Sequence, residues 1–335
     1  MNKSCLIGFL MCSAFSLVVQ AATDGAHITK TISQIERKKG IKRTIQYRPD
    51  GNDFVCVNGK NRYTRALYGG ITDFRIETSD RPVFATYKPK DSKHICFRLQ
   101  CGNQSIALDS LKFCEARYRA GRRTYRLTDP LLGKGELNIS VLAFPDAEGG
   151  IWRFTMKDMP EGALLHCYIS EIRAKNLSRN GDMGADRADS FDAPQLPKEQ
   201  KHYKLSLDGT TAYIVVEDQE LRLPALVEGT SLYDKSEKWR SEIESSLQIS
   251  TPDPYFNPLG GALAAAADGI WDGKIWLHGA IGWRSQLNGW RAAYIGDFIG
   301  WHDRARTHFD SYAASQVTDV PATIPHPCLL YTSDA

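Results

Sequence analysis

Leu137-Asn138-Ile139-Ser140-Val141-Leu142 alternates apolar and polar side chains, turns at Ala147-Glu148-Gly149-Gly150, and alternates again from Ile151 to Met156. A period of two puts every second side chain on one face, so the pair reads as antiparallel strands with one face buried. Working outward, Ile41 to Tyr47, Phe54 to Val57, Phe74 to Glu77 and His94 to Leu99 repeat the pattern before it. Leu164 to Ile172, Tyr203 to Leu207 and Ala212 to Val216 repeat it afterwards, with turns such as Pro49-Asp50-Gly51-Asn52 between. Many short strands with little helix predict a large antiparallel sandwich, or supersandwich, over residues 28–233. Within it, residues 175–201 form a polar run holding Asp182, Asp186, Asp189 and Asp192; their spacing fits no calcium loop, and the run reads as a solvated surface excursion.

The character changes after Tyr233. Lys235 to Leu247 predicts a linking helix within residues 234–250, with Trp239 as its apolar anchor. Thr251-Pro252-Asp253-Pro254 reads as a helix start capped by Thr251 or Asp253, and Leu259, Leu263, Ala266 and Ile270 follow at helical spacing. Tyr294, Phe298, Trp301, Ala305, Phe309 and Tyr312 predict one further helix, in which Gly296 and Gly300 leave a notch for another backbone.

Five of the chain's 7 tryptophans, Trp271, Trp276, Trp283, Trp290 and Trp301, fall between these two helical patterns or on the second, among His278, Arg284, Arg291, Asp297, His302, Asp303 and Arg304. Sugars are held by stacking their C–H faces on flat aromatics while charged and amide groups grip the hydroxyls. The mixture therefore predicts a glycan cleft, with His278, Trp283, Arg284, Trp290, Arg291, Asp297, His302 and Asp303 as candidate substrate-binding residues. A Trp-rich packing core is the competing reading of any one indole.

Composition bounds the rest. At 335 residues the chain has room for two domains, and 42% hydrophobic content, 24% charged content and a net charge of +3 describe a globular protein without a nucleic-acid footprint. Lys3, an apolar run from Cys5 to Val19, and Val19-Gln20-Ala21 read as a signal peptide over residues 1–21, cut after Ala21 or Ala22. Cys12 suggests a lipoprotein signal instead, but Met11 stands where such a signal has a small residue. No later segment is apolar enough to span a bilayer, so a periplasmic or secreted protein is expected. Residues 328–335 resemble the in-frame translation of a sequencing-library transposon adapter, and a non-native tail is expected there. Cys96 and Cys101 are a candidate disulfide, with buried free thiols the alternative. No zinc motif, phosphate loop or nucleophile elbow is present, and neither metal nor cofactor is expected.

The block Thr251-Pro252-Asp253-Pro254, His278-Gly279, Trp283-Arg284, Gly289-Trp290-Arg291, Tyr294, Gly296-Asp297, Gly300-Trp301-His302-Asp303-Arg304-Ala305 and Ser315-Gln316-Val317 resembles the opening of the helical domain in six-hairpin, (α/α)6-type glycosidases. More narrowly, it is similar to an uncharacterised domain family of secreted proteins from polysaccharide-degrading Gram-negative bacteria, in which a β-sandwich precedes the toroid. That resemblance implies the start of a toroid over residues 251–327 and glycoside hydrolysis of a complex polysaccharide or oligosaccharide. A ring of six hairpins needs a dozen helices and this chain shows two or three, so most of the catalytic toroid is expected to be missing.

Hydrolysis uses two carboxyl groups flanking the scissile bond. Asp297 and Asp303 are the candidates nearest the aromatic cluster, but six apart on one helix they would not share a face. Pairing of Asp297 with Arg291 or Arg304, and of Asp303 with Arg304 or Arg306, is the structural expectation. The resemblance places the acid and base of this fold on later hairpins. Two other functions compete: a polysaccharide lyase using Tyr294, His278 and Arg284, against which domain order counts, and a non-catalytic carbohydrate-binding protein whose binding unit is the sandwich.

Overall fold

The computed structural model describes residues 46–88, 91–174, 188–194, 200–277 and 289–314, with the backbone alone described for residues 188 and 289–292. Fifteen strands come first among the described residues: β1 Arg48–Asp50, β2 Asp53–Val57, β3 Arg65–Tyr68, β4 Arg75–Thr78, β5 Val83–Tyr87, β6 Lys93–Cys101, β7 Gln104–Ala107 and β8 Phe113–Arg119. They continue with β9 Arg122–Thr128, β10 Glu136–Ala143, β11 Gly149–Lys157, β12 Leu164–Glu171, β13 Gln200–Ser206, β14 Thr211–Glu217 and β15 Glu220–Arg222. An eight-stranded sheet runs β1-β2-β8-β9-β10-β11-β14-β15 and a seven-stranded one runs β13-β12-β6-β5-β4-β3, with β7 extending the β5 edge of β6. All pairings are antiparallel.

Alternation explains the core. Leu137, Ile139 and Val141 of β10 face the seven-stranded sheet, while Asn138 and Ser140 face away. Phe84 joins the layers, its ring 5.7 Å from Tyr125 and Trp152 and 5.8 Å from Phe97 in edge-on contacts. Strands β3, β5, β8 and β9 lie outside the predicted segments; β5 is buried at every position, while β8 and β9 alternate. In β9 the inward positions are Arg123, Tyr125 and Leu127, and Arg123 is fully buried. Its Nη2 donates to the Ser79 carbonyl at 2.9 Å and to Tyr47 Oη at 3.1 Å, and Asp80 lies 3.7 Å away. Burial of that charge is tolerated because it is paired and hydrogen-bonded.

Four helices follow among the described residues: α1 Leu226–Ser245, α2 Leu259–Asp268, α3 Gly289–Phe298 and α4 His302–Ala314. The first begins eight residues before the predicted linker and lies on the outer face of the eight-stranded sheet. Tyr233, not Trp239, is its buried anchor, hydrogen-bonded to Ser140 at 2.7 Å beside Leu142, Ile151 and Val215. Arg122–Glu237 at 2.8 Å and Arg119–Glu244 at 2.6 Å pin it along the β8–β9 hairpin.

Several sequence expectations change here. Helix α2 starts at Leu259 behind an uncapped Pro258; Thr251 and Asp253 instead clasp the preceding turn through Asn257 and the Tyr255 amide. The single helix predicted from Tyr294 to Tyr312 is two helices. Gly300 adopts φ +89°, and Trp301 N–H reaches the Gly296 carbonyl at 2.7 Å while Gly300 N–H reaches that of Asp297 at 3.1 Å. This is a Schellman stop, and Trp301 opens the next helix at once, its carbonyl accepting from Ala305 at 3.0 Å. Of the residues that read as one apolar face, Tyr294, Phe298 and Phe309 are exposed; the two helices meet instead through Ala293 and Ala305, which pack on Trp276. The Gly296 notch holds the Trp276 indole, where a Cβ would meet Cη2 at 2.1 Å, rather than a backbone. Cys96 and Cys101 are free thiols: five residues apart on one strand, they point to opposite faces and cannot bridge. No helix of the described residues is long and apolar enough to cross a membrane.

Candidate functional site

The α3–α4 corner carries three of the predicted site residues with their side chains. Asp297 Oδ1 and His302 Nδ1 are 2.6 Å apart, with side chains 61% and 68% exposed. Asp303 is exposed in the first turn of α4, where a negative charge suits the helix dipole. The expected Asp297–Arg304 pairing gives way to Asp297–His302, because the Schellman turn brings the last turn of α3 against the start of α4. Arg304 turns inward and binds the buried Asp268 at 2.7 Å instead of either candidate carboxylate. Since Asp297 and Asp303 stand on different helices, the objection that they lie on opposite faces of one helix falls away. Tyr294 is 61% exposed on α3. His278, Trp283 and Arg284 lie outside the described residues; the backbones of Trp290 and Arg291 stand in the first turn of α3.

Beneath that corner Trp271, Trp276 and Trp301 pack together. Trp276 is 1% exposed, its Nε1 donates to the Ala267 carbonyl and its amide to His308 Nδ1, each at 3.0 Å, and its ring lies 4.6 Å from that of Trp271. The Arg304 guanidinium sits 4.5 Å over Trp301 and 5.6 Å from Trp271. Trp276 is therefore a core residue and not a sugar-stacking platform. Burial raises the Asp268 carboxyl above its ordinary range, opposed by the Arg304 hydrogen bond. This ion pair escaped sequence reasoning, its only signal being an acid at the end of an alanine-rich helix.

A cleft of about 690 Å³ opens where the sandwich meets the helices, between the β1–β2 turn, the β8–β9 turn, the end of α1 and residues 247–258. Asn52, Arg119, Ser241, Glu244, Gln248 and Asn257 line it. Burial would push the Glu244 carboxyl up, but hydrogen bonds from Arg119 and Arg240 outweigh it and hold the group below its usual range. The cleft thus offers an ionised acceptor and hydrogen-bonding side chains, without a protonated acid.

On the outer face of the seven-stranded sheet, His202 stacks between Tyr168, at 4.6 Å, and His166, at 5.0 Å. Alternation of His166 and Tyr168 in β12 was the available signal; their partner on β13 was not. Nearby, Phe191 is fully buried, Asp192 accepts from Arg62 at 2.5 Å and Tyr63 at 3.1 Å, and Asp189 lies 3.7 Å from Arg173. That part of the predicted solvated excursion is docked on the sheet; Asp182 and Asp186 lie outside the described residues. Burial pushes the Cys96 thiol up to about 11 and the Cys114 thiol up to about 12, so neither is a ready nucleophile. Among the described residues no three His, Cys, Asp or Glu side chains are grouped to hold a metal ion.

Residues 89–216 match one family, described as a domain of unknown function (DUF4450). The matched segment runs through β6 to β14, the heart of both sheets, and ends before the first α-helix. Every candidate site residue from His278 to Asp303 lies beyond it. Among curated proteins there is no match to the chain.

Proposed function

We propose that the protein is glycoside hydrolase-like, acts on a complex polysaccharide or oligosaccharide in the periplasm or outside the cell, and grips its glycan at the α3–α4 corner. The observation that carries this reading is the corner itself. Asp297, His302 and Asp303 project outward from a base whose indoles are locked: Trp301 Nε1 donates to Ser246 Oγ at 3.2 Å, and Arg304 is clamped by Asp268 and the Trp301 ring. Rigid support of exposed polar groups suits recognition of sugar hydroxyls. In this reading Trp283 and Trp290 stack on sugar faces, Arg284, Arg291 and His278 grip hydroxyls, and Asp297 and Asp303 are the described candidates for one of the two carboxyl groups that hydrolysis requires.

The test is sugar release by the complete protein from a panel of plant and microbial polysaccharides. Arg284→Ala or His278→Ala should cut kcat/KM about tenfold or more, since a lost hydrogen bond to a charged group costs about 1.5–3 kcal/mol, with the melting temperature nearly unchanged. Loss of several degrees with turnover intact would assign both residues to packing. N-terminal sequencing of the exported protein should find Ala22 or Thr23 first; retention of Met1 would defeat the export reading.

A non-catalytic carbohydrate-binding protein is the second reading, favoured by the junction cleft, where the one carboxylate lining it is held ionised. Full-affinity glycan binding with no sugar released from any polysaccharide would decide for it.

A further inference from the structure

Beside α1, the outer face of the eight-stranded sheet is open, and strand register sets it out in two rows. Arg117, Thr124, Ser140 and Arg153 are successive cross-strand partners on β8, β9, β10 and β11; Glu115, Arg126, Asn138 and Thr155 form the next row. Cross-strand partners project to the same side, so short hydroxyl and amide groups make a floor with guanidinium groups around it. These eight residues line a groove of about 250 Å³. With strands about 4.8 Å apart, it spans roughly 14 Å from β8 to β11.

Three arginines and one glutamate line it, and further carboxylates at its rim engage two of the three arginines. Arg117 is engaged by Glu115 and Asp50, both at 2.8 Å, and by Asp53 at 3.2 Å. Arg126 is shared loosely between Glu115 at 3.4 Å and Glu136 at 3.5 Å and stays 43% exposed. Arg153 has no carboxylate in ion-pair range among the described residues. Its guanidinium lies 3.8 Å over the Tyr233 ring, and its Nε is buried without a hydrogen-bond partner. Tyr233 is itself tied to Ser140, so the fork lies over a fixed ring at one end of the groove. A planar guanidinium in that position matches a carboxylate or sulfate by paired hydrogen bonds, and a floor of Thr, Ser and Asn suits the hydroxyls of an attached sugar.

We infer that this groove is a second ligand site, separate from the α3–α4 corner, that binds an anionic oligosaccharide. The acidic group of one sugar sits on Arg153, and hydroxyls of the chain lie on Thr124, Asn138 and Thr155. The choice of a sugar rests on the glycan reading above; the preference for negative charge rests on the groove alone.

Titration calorimetry of the full chain tests it with four probes: a tri-uronide, its methyl ester, a sulfated trisaccharide and sodium sulfate. The tri-uronide or the sulfated trisaccharide should bind at least tenfold more tightly than the ester, and which of them binds identifies the acidic group. Arg153→Gln should abolish that preference. Because this change also removes the contact with Tyr233, Thr155→Glu is the second variant: it sets a carboxylate in the floor, leaves the Arg153–Tyr233 stack in place, and should weaken the acidic sugar tenfold or more at unchanged melting temperature. Equal affinity for acid and ester, or unchanged binding in both variants, would overturn the inference. So would sodium sulfate binding as tightly as either anionic sugar. Sugar release from a neutral glycan without any acidic-sugar binding would sink the groove and spare the hydrolase reading; acidic-sugar binding lost in both variants, with no sugar released from any glycan, would do the reverse.

Discussion

Trp152 and Trp276 are both fully buried indoles, yet they belong to regions built on different scales. Trp152 is one member of a core to which almost every strand of both sheets contributes. Trp276 is surrounded by Ala293 and Ala305, with Ile270, Trp271 and Trp301 partly buried around it. The helices meanwhile expose Leu263 by 52%, Tyr294 by 61%, Ile295 by 51%, Phe298 by 85% and Phe309 by 42%. The contrast teaches that burial of one residue says little about the cooperativity of its surroundings. A large shared core fails as a whole, whereas a core built on one side chain fails locally.

The sharpest way to break this comparison is to truncate both indoles. Trp152→Ala should cost about 3–5 kcal/mol of sandwich stability, read from the denaturant midpoint. Trp276→Ala should speed amide exchange across residues 259–314 and leave the sandwich midpoint where it was. An equal fall in that midpoint would show that the two regions unfold as one. Gly296→Ala is the next probe. Its added methyl would collide with the Trp276 ring, and overpacking costs about 1–3 kcal/mol, confined to the helices if the comparison holds.

Acidification should act on the sandwich side first. Burial lowers the folded-state value of His94, which contacts Tyr63 Oη and the Phe191 carbonyl, and that of His166, from the ordinary 6.5. A neutral buried histidine takes up its proton more readily when released, so its stabilising contribution is fully present above about 6.5 and lost progressively as pH falls from there toward the lowered folded-state value. Residues 188–194 should therefore become protease-sensitive between pH 7.5 and 5.5 before either sheet opens, and His94→Gln should remove most of that pH dependence. Resistance unchanged across that range would show that the docking of Phe191 does not depend on His94. The smallest expected effects are at the corner: Asp297→Asn and Asp303→Asn should change stability by no more than about 0.5 kcal/mol, the Asp297–His302 pair being exposed. A larger loss would make the corner part of the helical core.

Sequence reading found most of the longer strands by alternation and missed β5, which is buried at every position, and β9, where a charge occupies an inward position. Arg123 makes β9 look like a polar run, and Ser79, Tyr47 and Asp80, brought across from distant parts of the chain, make its burial tolerable. At the corner, residue types were legible and partners were not. Asp297 was matched with arginines at helical spacing, although the Schellman turn at Gly300 ends that spacing and supplies His302. Arg153 gave no signal at all, being one polar residue in an alternating strand.

By itself the sequence determined what is local. A period of two over residues 137–142 and 151–156 makes a hairpin, and apolar spacing after Leu259 makes helices, because φ/ψ preference and side-chain direction act between near neighbours. Only the tertiary structure decided which indole is core, which carboxylate Arg304 meets, and which side chains share the groove beside Tyr233. Those outcomes depend on register between strands and on contacts between residues far apart in the chain, where one residue's slip exchanges the two faces of a sheet.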